Sequence, residues 1–233
     1  MPVPFFFEEN LTSQSTFVLS EETSKHVIQV LRMQKGEEFR LTNGKGHMLT
    51  CQIIYEHKKA AEVKVITNTH QPKPPKKITV AISLIKNKSR FEWFLEKATE
   101  IGVSGIIPLV CERTEKQHFR YERMRAILIS AMLQSQQVWL PLLSEPVKLG
   151  ELVISSSHQT KYIAHCIDEE KKQFSNETLL TGDQLILIGP EGDFTKDEVD
   201  AAVQNNFIPV SLGNTRLRTE TAGIVACVLL NDY

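Results

Sequence analysis

The sequence predicts an α/β protein in which a mostly parallel sheet covered by helices follows a small β-rich domain. Three observations predict it. Residues 71–77, Gln-Pro-Lys-Pro-Pro-Lys-Lys, break the chain, because three prolines this close together stiffen the backbone and remove hydrogen-bond donors. Upstream of the break, apolar residues alternate with period two. Downstream, short apolar runs alternate with stretches of helical period. At 233 residues and 41% hydrophobic content the chain can bury two modest cores. The domains are therefore placed at residues 1–71 and 76–233.

In the first domain a helix is predicted near Thr23 to Met33. Glu38-Phe-Arg-Leu-Thr and Met48-Leu-Thr-Cys-Gln-Ile-Ile-Tyr flank Asn43-Gly44, a pair that tolerates the positive φ angles of a tight hairpin. Ala61-Glu-Val-Lys-Val-Ile alternates in the same way. After the break, Ile78-Thr-Val-Ala-Ile-Ser-Leu-Ile85 reads as a buried strand. Phe91, Phe94, Leu95, Ala98 and Ile101 then recur at helical spacing, with Ser89 and Glu92 as a capping box and Gly102 as the stop. Further strands are predicted at residues 105–110, 162–166, 185–188 and 207–212, with helical patterns between most of them.

Lys and Arg total 27 against 28 Asp and Glu, so no global charge draws the chain to phosphate. Charge is segregated locally instead. Lys73, Lys76, Lys77, Lys86, Lys88 and Arg90 form a stretch free of acids; Arg113, Lys116, Arg120, Arg123 and Arg125 add a second cluster diluted by Glu112, Glu115 and Glu122; and the stretch from Asp168 to Asp200 is acidic. One face meeting a nucleic acid would produce this pattern, as would a solvated linker and helix surface. The cysteines at 51, 111, 166 and 227 lack metal-site or redox-pair spacing, so reduced thiols and no metal are expected. No apolar run reaches membrane-span length and no signal peptide is recognisable, which predicts a cytoplasmic protein. The histidines lack H-x-x-x-H spacing, and no serine sits in a G-x-S-x-G elbow.

Two segments are candidates for chemistry. Leu185-Ile-Leu-Ile-Gly-Pro-Glu-Gly-Asp-Phe-Thr195 runs a buried strand through a glycine turn into a helix capped by Thr195 and Glu198. Gly189 and Gly192 would let a ligand approach the backbone, although an isolated G-x-x-G also serves as a plain strand-to-helix turn. Ser211-Leu-Gly-Asn-Thr-Arg-Leu-Arg-Thr-Glu-Thr-Ala222 again follows a strand and opens a helix, which puts both turns at one sheet edge. Arg218 and Glu220 at the mouth of that helix either form a salt bridge or act on a ligand. The helix that follows is apolar nearly all round, so it is expected to be buried against its own core, a ligand or a partner subunit.

Taken as a pair, Leu187-Ile-Gly-Pro-Glu-Gly and Leu212-Gly-x-x-x-Leu217-Arg218-x-Glu220-Thr221-Ala222 closely resemble the RsmE family, the bacterial small-subunit ribosomal RNA uridine N3-methyltransferases. Lys25-His26-Val-Ile-Gln-Val-Leu-Arg32 looks like its N-terminal motif. Phe91-Glu-Trp-Phe-Leu-Glu-Lys-Ala-Thr-Glu-Ile-Gly102-Val and Ile107-Pro108-Leu109 look like its central one. The resemblance implies a PUA-like β-barrel at the N-terminus and a SPOUT α/β-knot domain with a C-terminal trefoil knot, which sequence rules alone would never predict. It implies S-adenosyl-L-methionine held by Leu109, Ile188, Gly189, Gly192, Leu212, Gly213, Leu217, Thr221 and Ala222, and a homodimer with each site at the subunit interface. It also implies ribosomal RNA of the small ribosomal subunit as substrate, with His26, Arg32, Lys86, Arg90 and Arg113 as the expected RNA contacts.

Methylation at uracil N3 requires loss of the imide proton. Arg218 is the candidate for stabilising negative charge on the uracil oxygens, with Glu220 or Glu191 as base or orienting group. The sequence departs from the family in three places. Phe5-Phe-Phe7 stands where an arginine is usual, Asp193 replaces a glycine, and Leu133 and Gln137 replace an acid and an arginine. Rival readings are a SPOUT methyltransferase acting on transfer RNA or large-subunit RNA, and a non-catalytic RNA-binding module. A nicotinamide dehydrogenase lacks its glycine fingerprint.

Overall fold

The computed structural model describes residues 3–11, 14–115, 117–167, 172–173 and 182–231. Lys116 and part of the acidic stretch from Asp168 to Asp200, residues 168–171 and 174–181, lie outside the described residues. The chain divides into two compact units, one of residues 1–73 and 132–140, the other of residues 74–131 and 141–233.

The first unit contains β1 (Phe5–Phe7), β2 (Thr16–Val18), α1 (Glu21–Lys25), a π-helical turn (His26–Val30), β3 (Glu38–Thr42), β4 (His47–Tyr55) and β5 (Glu62–His70). The strands form one five-stranded sheet in the order β1-β3-β4-β5-β2. Its core gathers Phe6, Phe39, Leu41 and Leu49, the inward positions that strand alternation selects, with Leu19 and Val27 packed against them. The predicted continuous helix from Thr23 is instead one α-turn capped by Ser20 that widens into the π-turn at His26. Three β-branched residues in the run Val27 to Val30, with left-handed backbone at Arg32 (φ 55°), oppose a longer α-helix. The hairpin at Asn43-Gly44 forms, with Gly44 and Gly46 at φ 68° and 87°. Residues 138–140 dock on that turn: Gly46 N–H donates to Val138 O at 2.8 Å and Leu140 N–H to Gly44 O at 2.9 Å. The Trp139 ring covers Gly46 so closely that a Cβ there would collide with its Cζ2.

The second unit contains β6 (Lys76–Ser83), α2 (Lys88–Ile101), β7 (Gly105–Val110), α3 (Tyr121–Gln134, its last turn grouped with the first unit), β8 (Leu142–Leu143), β9 (Val147–Lys148) and α4 (Leu149–Ser155). It continues through β10 (Thr160–Ala164), β11 (Lys172–Gln173), β12 (Gly182–Ile188), α5 (Lys196–Gln204), β13 (Ile208–Ser211) and α6 (Thr219–Leu230). Every strand pairing in this sheet is parallel, in the order β11-β13-β10-β12-β6-β7-β8, with β9 also on β7. Strand alternation sends Ala81, Leu109, Ile163, Leu185 and Leu187 to one side, where they pack with residues of α4 and α5 such as Leu152 and Val199. Ile82 faces the other way, toward α6.

The predicted cap of α2 is corrected by the structure. Asn87, not Ser89, is the N-cap, and its side chain accepts the Ser89 N–H; Glu92 turns outward to a two-point bond with Arg123 at 2.6 and 2.9 Å. Gly102 ends the helix in the left-handed conformation, φ 91°, that glycine adopts without strain. The last helix, α6, is two-faced despite its apolar composition. Glu220, Gly223, Cys227 and Leu230 are buried on one side, whereas Ile224 and Val225 are half-buried and Val228 is 44% exposed on the other. Gly223 allows α6 to close on α2, since a Cβ would sit 2.6 Å from Phe94 Cε2. Among the described residues no helix is long and apolar enough to cross a membrane, and no cluster of side chains has a metal-binding arrangement.

Candidate functional site

Parallel pairing fixes where the chemistry-bearing turns lie. Ile188, the last residue of β12, is in register with Ile82 of β6 and Ala164 of β10, and Ala164 with Val210 of β13. The turns that follow β10, β12 and β13 therefore leave the sheet at the same carboxyl edge, where open parallel sheets bind ligands.

The turn after β12 is held rigidly. Pro190 O accepts the Asp193 N–H at 3.0 Å, and the Thr195 and Glu198 capping box forms as the sequence predicts. Glu198 also accepts the Glu112 N–H at 2.8 Å. The glycines here make room for protein: a Cβ on Gly189 would lie 3.1 Å from the Phe194 ring, and one on Gly192 3.3 Å from Arg113 Cδ. Asp193 explains its own departure from glycine. Its backbone is left-handed, φ 63°, the conformation in which aspartate is one of the few tolerated side chains. Its carboxylate accepts both the Phe194 N–H and the Cys166 N–H at 2.8 Å, which ties the β12 turn to the exit of β10.

These turns enclose a cleft of about 460 Å³, inside the roughly 300–1,000 Å³ range of small-molecule sites. Its walls are residues 164–167 at the end of β10, Asp193 and Phe194 after β12, residues 210–217 from the end of β13 onward, Ala222 of α6, and Arg113. Four of the sequence-predicted cofactor residues, Leu212, Gly213, Leu217 and Ala222, line it. Leu109, Ile188 and Gly189 are buried in the sheet and turn behind it. Gly192 meets it through Arg113, whose Nη1 donates to Gly192 O at 2.7 Å. Thr221 is half-buried beside Ala222. Gly213 has φ 138°, a backbone that L side chains rarely adopt, so glycine is required for the loop to turn there.

Of the residues named for catalysis, Arg218 is exposed at the N-cap of α6. Glu220 is only 7% exposed, and its Oε1 pairs with Arg90 Nε at 3.5 Å rather than forming the short-range bridge to Arg218 that the sequence suggests. Glu220 Oε2 has no hydrogen-bond partner among the described residues. Glu191 is exposed and accepts the Lys86 main-chain N–H at 3.1 Å.

The expected RNA contacts divide between the units. His26 and Arg32 are exposed in the first, the His26 ring lying edge-on to Phe6. In the second, Lys86 is exposed and paired with Glu115 at 2.6 Å, Arg90 is half-buried against Glu220, and Arg113 is drawn into the cleft wall.

Sequence reading overlooked the β10 exit, Ala164, His165, Cys166 and Ile167. No motif marks it; the signal available was that a predicted parallel strand must end at the same edge as the two glycine turns.

A family model described as an RNA methyltransferase domain matches residues 72–231, and one described as an RNA methyltransferase PUA domain matches residues 19–66. The ribosomal RNA small subunit methyltransferase E of Synechocystis sp. is 30% identical over 224 residues, which span 94% of this chain and 73% of that one. A probable rRNA-methyltransferase from Porphyromonas gingivalis has a crystal structure similar at TM-score 0.90 and 35% identity, over 98% of both chains. That of the ribosomal RNA small subunit methyltransferase E from Neisseria gonorrhoeae, bound to S-adenosyl methionine, gives a TM-score of 0.85 at 29% identity, over 97% of this chain and 95% of that one.

Proposed function

We propose, from the premise that this chain belongs to the ribosomal RNA small subunit methyltransferase E family, that it uses S-adenosyl-L-methionine to methylate N3 of a uridine in small-subunit ribosomal RNA. The observation that carries the reading is the cleft at the carboxyl edge of the sheet, walled jointly by the β12 and β13 turns on which the family motifs fall.

The residues present fit the cofactor. Ile167, Leu212, Leu217 and Ala222 offer apolar surface for an adenine ring, and Arg113 and Arg216 offer charge for a carboxylate. Leu109, Ile188, Gly189, Gly192 and Thr221 shape the backbone around that space. When bound, the cofactor supplies an electrophilic methyl group on a sulfonium centre. The protein's task is then to present an N3 that has lost its proton. Arg218, exposed at the mouth of α6, stabilises negative charge on the uracil oxygens. Glu220 receives the imide proton on the carboxylate oxygen that, among the described residues, has no donor. Glu191, holding the Lys86 amide, orients the loop at the same edge.

His26 and Arg32 on the PUA domain, with Lys86 and Arg90, bind RNA phosphates. The protein acts as a homodimer in the cytoplasm, with the C-terminal segment knotted around the cofactor. The open side of α6, Ile224, Val225 and Val228, supports the dimer, because an apolar helix face left half-exposed is what a subunit contact covers.

The test is transfer of labelled methyl from the cofactor to small-subunit particles, followed by mapping of the modified base. Methyl on N3 of one uridine is the expected result, and no transfer or a product in transfer RNA or large-subunit RNA rejects the reading. Arg218→Ala is expected to bind cofactor normally and lose most transfer; full activity removes Arg218 from the chemistry. Sedimentation of Val228→Lys, expected to be monomeric against a dimeric parent, tests the assembly.

A further inference from the structure

One surface of the first unit carries cations and aromatic rings that the roles above leave unused. Three chain segments meet there: the β3–β4 turn with the start of β4, the end of β5, and residues 138–140. The Val138 and Gly44 carbonyls tie the last segment to the turn, and Gln71 N–H donates to Gly46 O at 2.8 Å. His47 and His70 stand directly opposite in the β4–β5 ladder, so their rings share one face of the sheet, with centroids 4.6 Å apart. The Trp139 ring is edge-to-face with His70, centroids 6.1 Å apart at 81°, and Lys73 Nζ lies 5.1 Å from the centre of the Trp139 ring. Lys45 joins Trp139 through a β-bridge.

Packing accounts for Trp139, whose Nε1–H donates to Gln71 O at 3.1 Å and whose ring covers Gly46. It does not account for the two lysines and two histidines gathered around that ring. Lys45, His70 and Lys73 are exposed, and His47 is half-buried. Residues 41–55, 63–73 and 132–140 contain no aspartate or glutamate. Glu8, whose N–H bonds Thr42 O, turns its carboxylate to Ser20 Oγ at 2.9 Å. Ammonium groups on a fixed surface, with no carboxylate in the segments that carry them, attract a polyanion. The rings select among polyanions: a nucleobase lies on an aromatic ring while its flanking phosphates meet the cations, whereas an acidic peptide has no base to stack. Exposed side chains make this contact, so it needs no enclosed cavity.

We infer that this surface docks a single-stranded segment of the substrate RNA, with a base on the His70 ring and phosphates on Lys45 and Lys73, and so contributes affinity for RNA without taking part in methyl transfer. The inference rests on the RNA methyltransferase reading and adds a contact that the family motifs do not include.

The test is a titration of the full chain with fluorescein-labelled oligouridylate, read by anisotropy over a series of salt concentrations, alongside steady-state methyl transfer to small-subunit particles. The substituted side chains are exposed, so the variants keep the fold. The double variant Lys45→Ala, Lys73→Ala is expected to lower the slope of log affinity against log salt by about 1.4, for two single-strand phosphate contacts at about 0.7 each. His70→Ala is expected to raise Kd roughly tenfold, as for loss of one base-aromatic contact, and His70→Phe to keep it near the parental value. In methyl transfer, His70→Ala and the double variant raise KM for the particles and leave kcat and cofactor affinity unchanged. An unchanged salt slope in the double variant, or a Kd within twofold of the parent in His70→Ala, overturns the docking site. Polyglutamate bound as tightly as oligouridylate, and weakened equally by the same substitutions, assigns the surface to an acidic protein and also overturns it. A parent that transfers no methyl group rejects the function proposal separately. The titration requires no methyl transfer and still decides the docking site.

Discussion

Glu220 Oε1 sits 3.5 Å from Arg90 Nε, so the acid that follows Arg218 by two residues is neutralised from α2 and not by its sequence neighbour. The pair is asymmetric: the Glu220 side chain is 9% exposed and that of Arg90 40%. Removing Arg90 leaves a nearly buried carboxylate without its cation. A fully buried pair broken this way costs several kcal/mol, but solvent around Arg90 screens most of that, and we expect Arg90→Ala to lower stability by about 1 kcal/mol. Urea unfolding measures it. Glu220→Gln keeps the shape and removes the charge, so it is expected to abolish methyl transfer while retaining cofactor affinity; activity near the parent's would take Glu220 out of the reaction.

Asp193 is the second point at which one side chain holds the site together. Its left-handed backbone favours glycine, yet its carboxylate closes two main-chain bonds at 2.8 Å that glycine cannot make. Hydrogen bonds to charged groups contribute about 1.5–3 kcal/mol, more than the strain of roughly 1 kcal/mol for a side chain in this conformation. The expected order of thermal stability is therefore Asp above Asn above Gly above Ala, with Ala losing both the bonds and the freedom. Cofactor affinity should follow the same order, because Cys166 and Phe194 both line the cleft. A glycine variant as stable as the parent would show that the two bonds contribute nothing net.

Much of this architecture was legible in the sequence because its causes are local. Period-two alternation marks β3, β4 and β5, and buried apolar runs mark β6, β7 and β12. Thr195 and Glu198 cap α5 through atoms three residues apart. Where sequence reading stopped, the cause lies in distance along the chain. Arg113 joins the cleft by reaching Gly192, and Trp139 packs on Gly46, pairings that no window of neighbouring residues contains. The β10 exit enters the site only because parallel register sets Ala164 beside Ile188. Asn87 displaced Ser89 as the cap of α2 because the helix starts two residues earlier, with Asn87 extended and Lys88 helical. The two faces of α6 were hidden by a composition that is apolar on both.

His158 supplies a dependence of stability on pH. It lies between α4 and β10, its Nδ1 bonded to Ser156 Oγ at 3.0 Å and its Nε2 3.8 Å from Asp183. Burial pushes its pKa below the ordinary histidine value of 6.5; Asp183 opposes this and Lys161 adds to it. The folded protein thus binds this proton less readily than the unfolded chain does. Stability is fully present above the unfolded pKa and declines as pH falls through 6.5 toward the lower folded value. Denaturant midpoints between pH 8 and pH 5.5 should fall more steeply for the parent than for His158→Gln, in which the titrating ring is gone. Equal slopes would place the acid sensitivity elsewhere.

The cysteines report on the cleft. Burial pushes the thiols of Cys51, Cys111 and Cys227 up to about 12, so at neutral pH they remain protonated and shielded from reagent. Cys166 is exposed and lines the cleft beside Asp193. A small disulfide reagent added to the native protein should therefore modify one thiol quickly and three only on unfolding, and Cys166→Ser should lose the fast phase. If S-adenosyl-L-methionine occupies this cleft, saturating cofactor will slow the fast phase in proportion to occupancy, giving a dissociation constant without any RNA present. A fast phase indifferent to cofactor, in protein that calorimetry shows to be loaded, would move the cofactor away from the β10 exit and with it the assignment of Leu212, Gly213, Leu217 and Ala222.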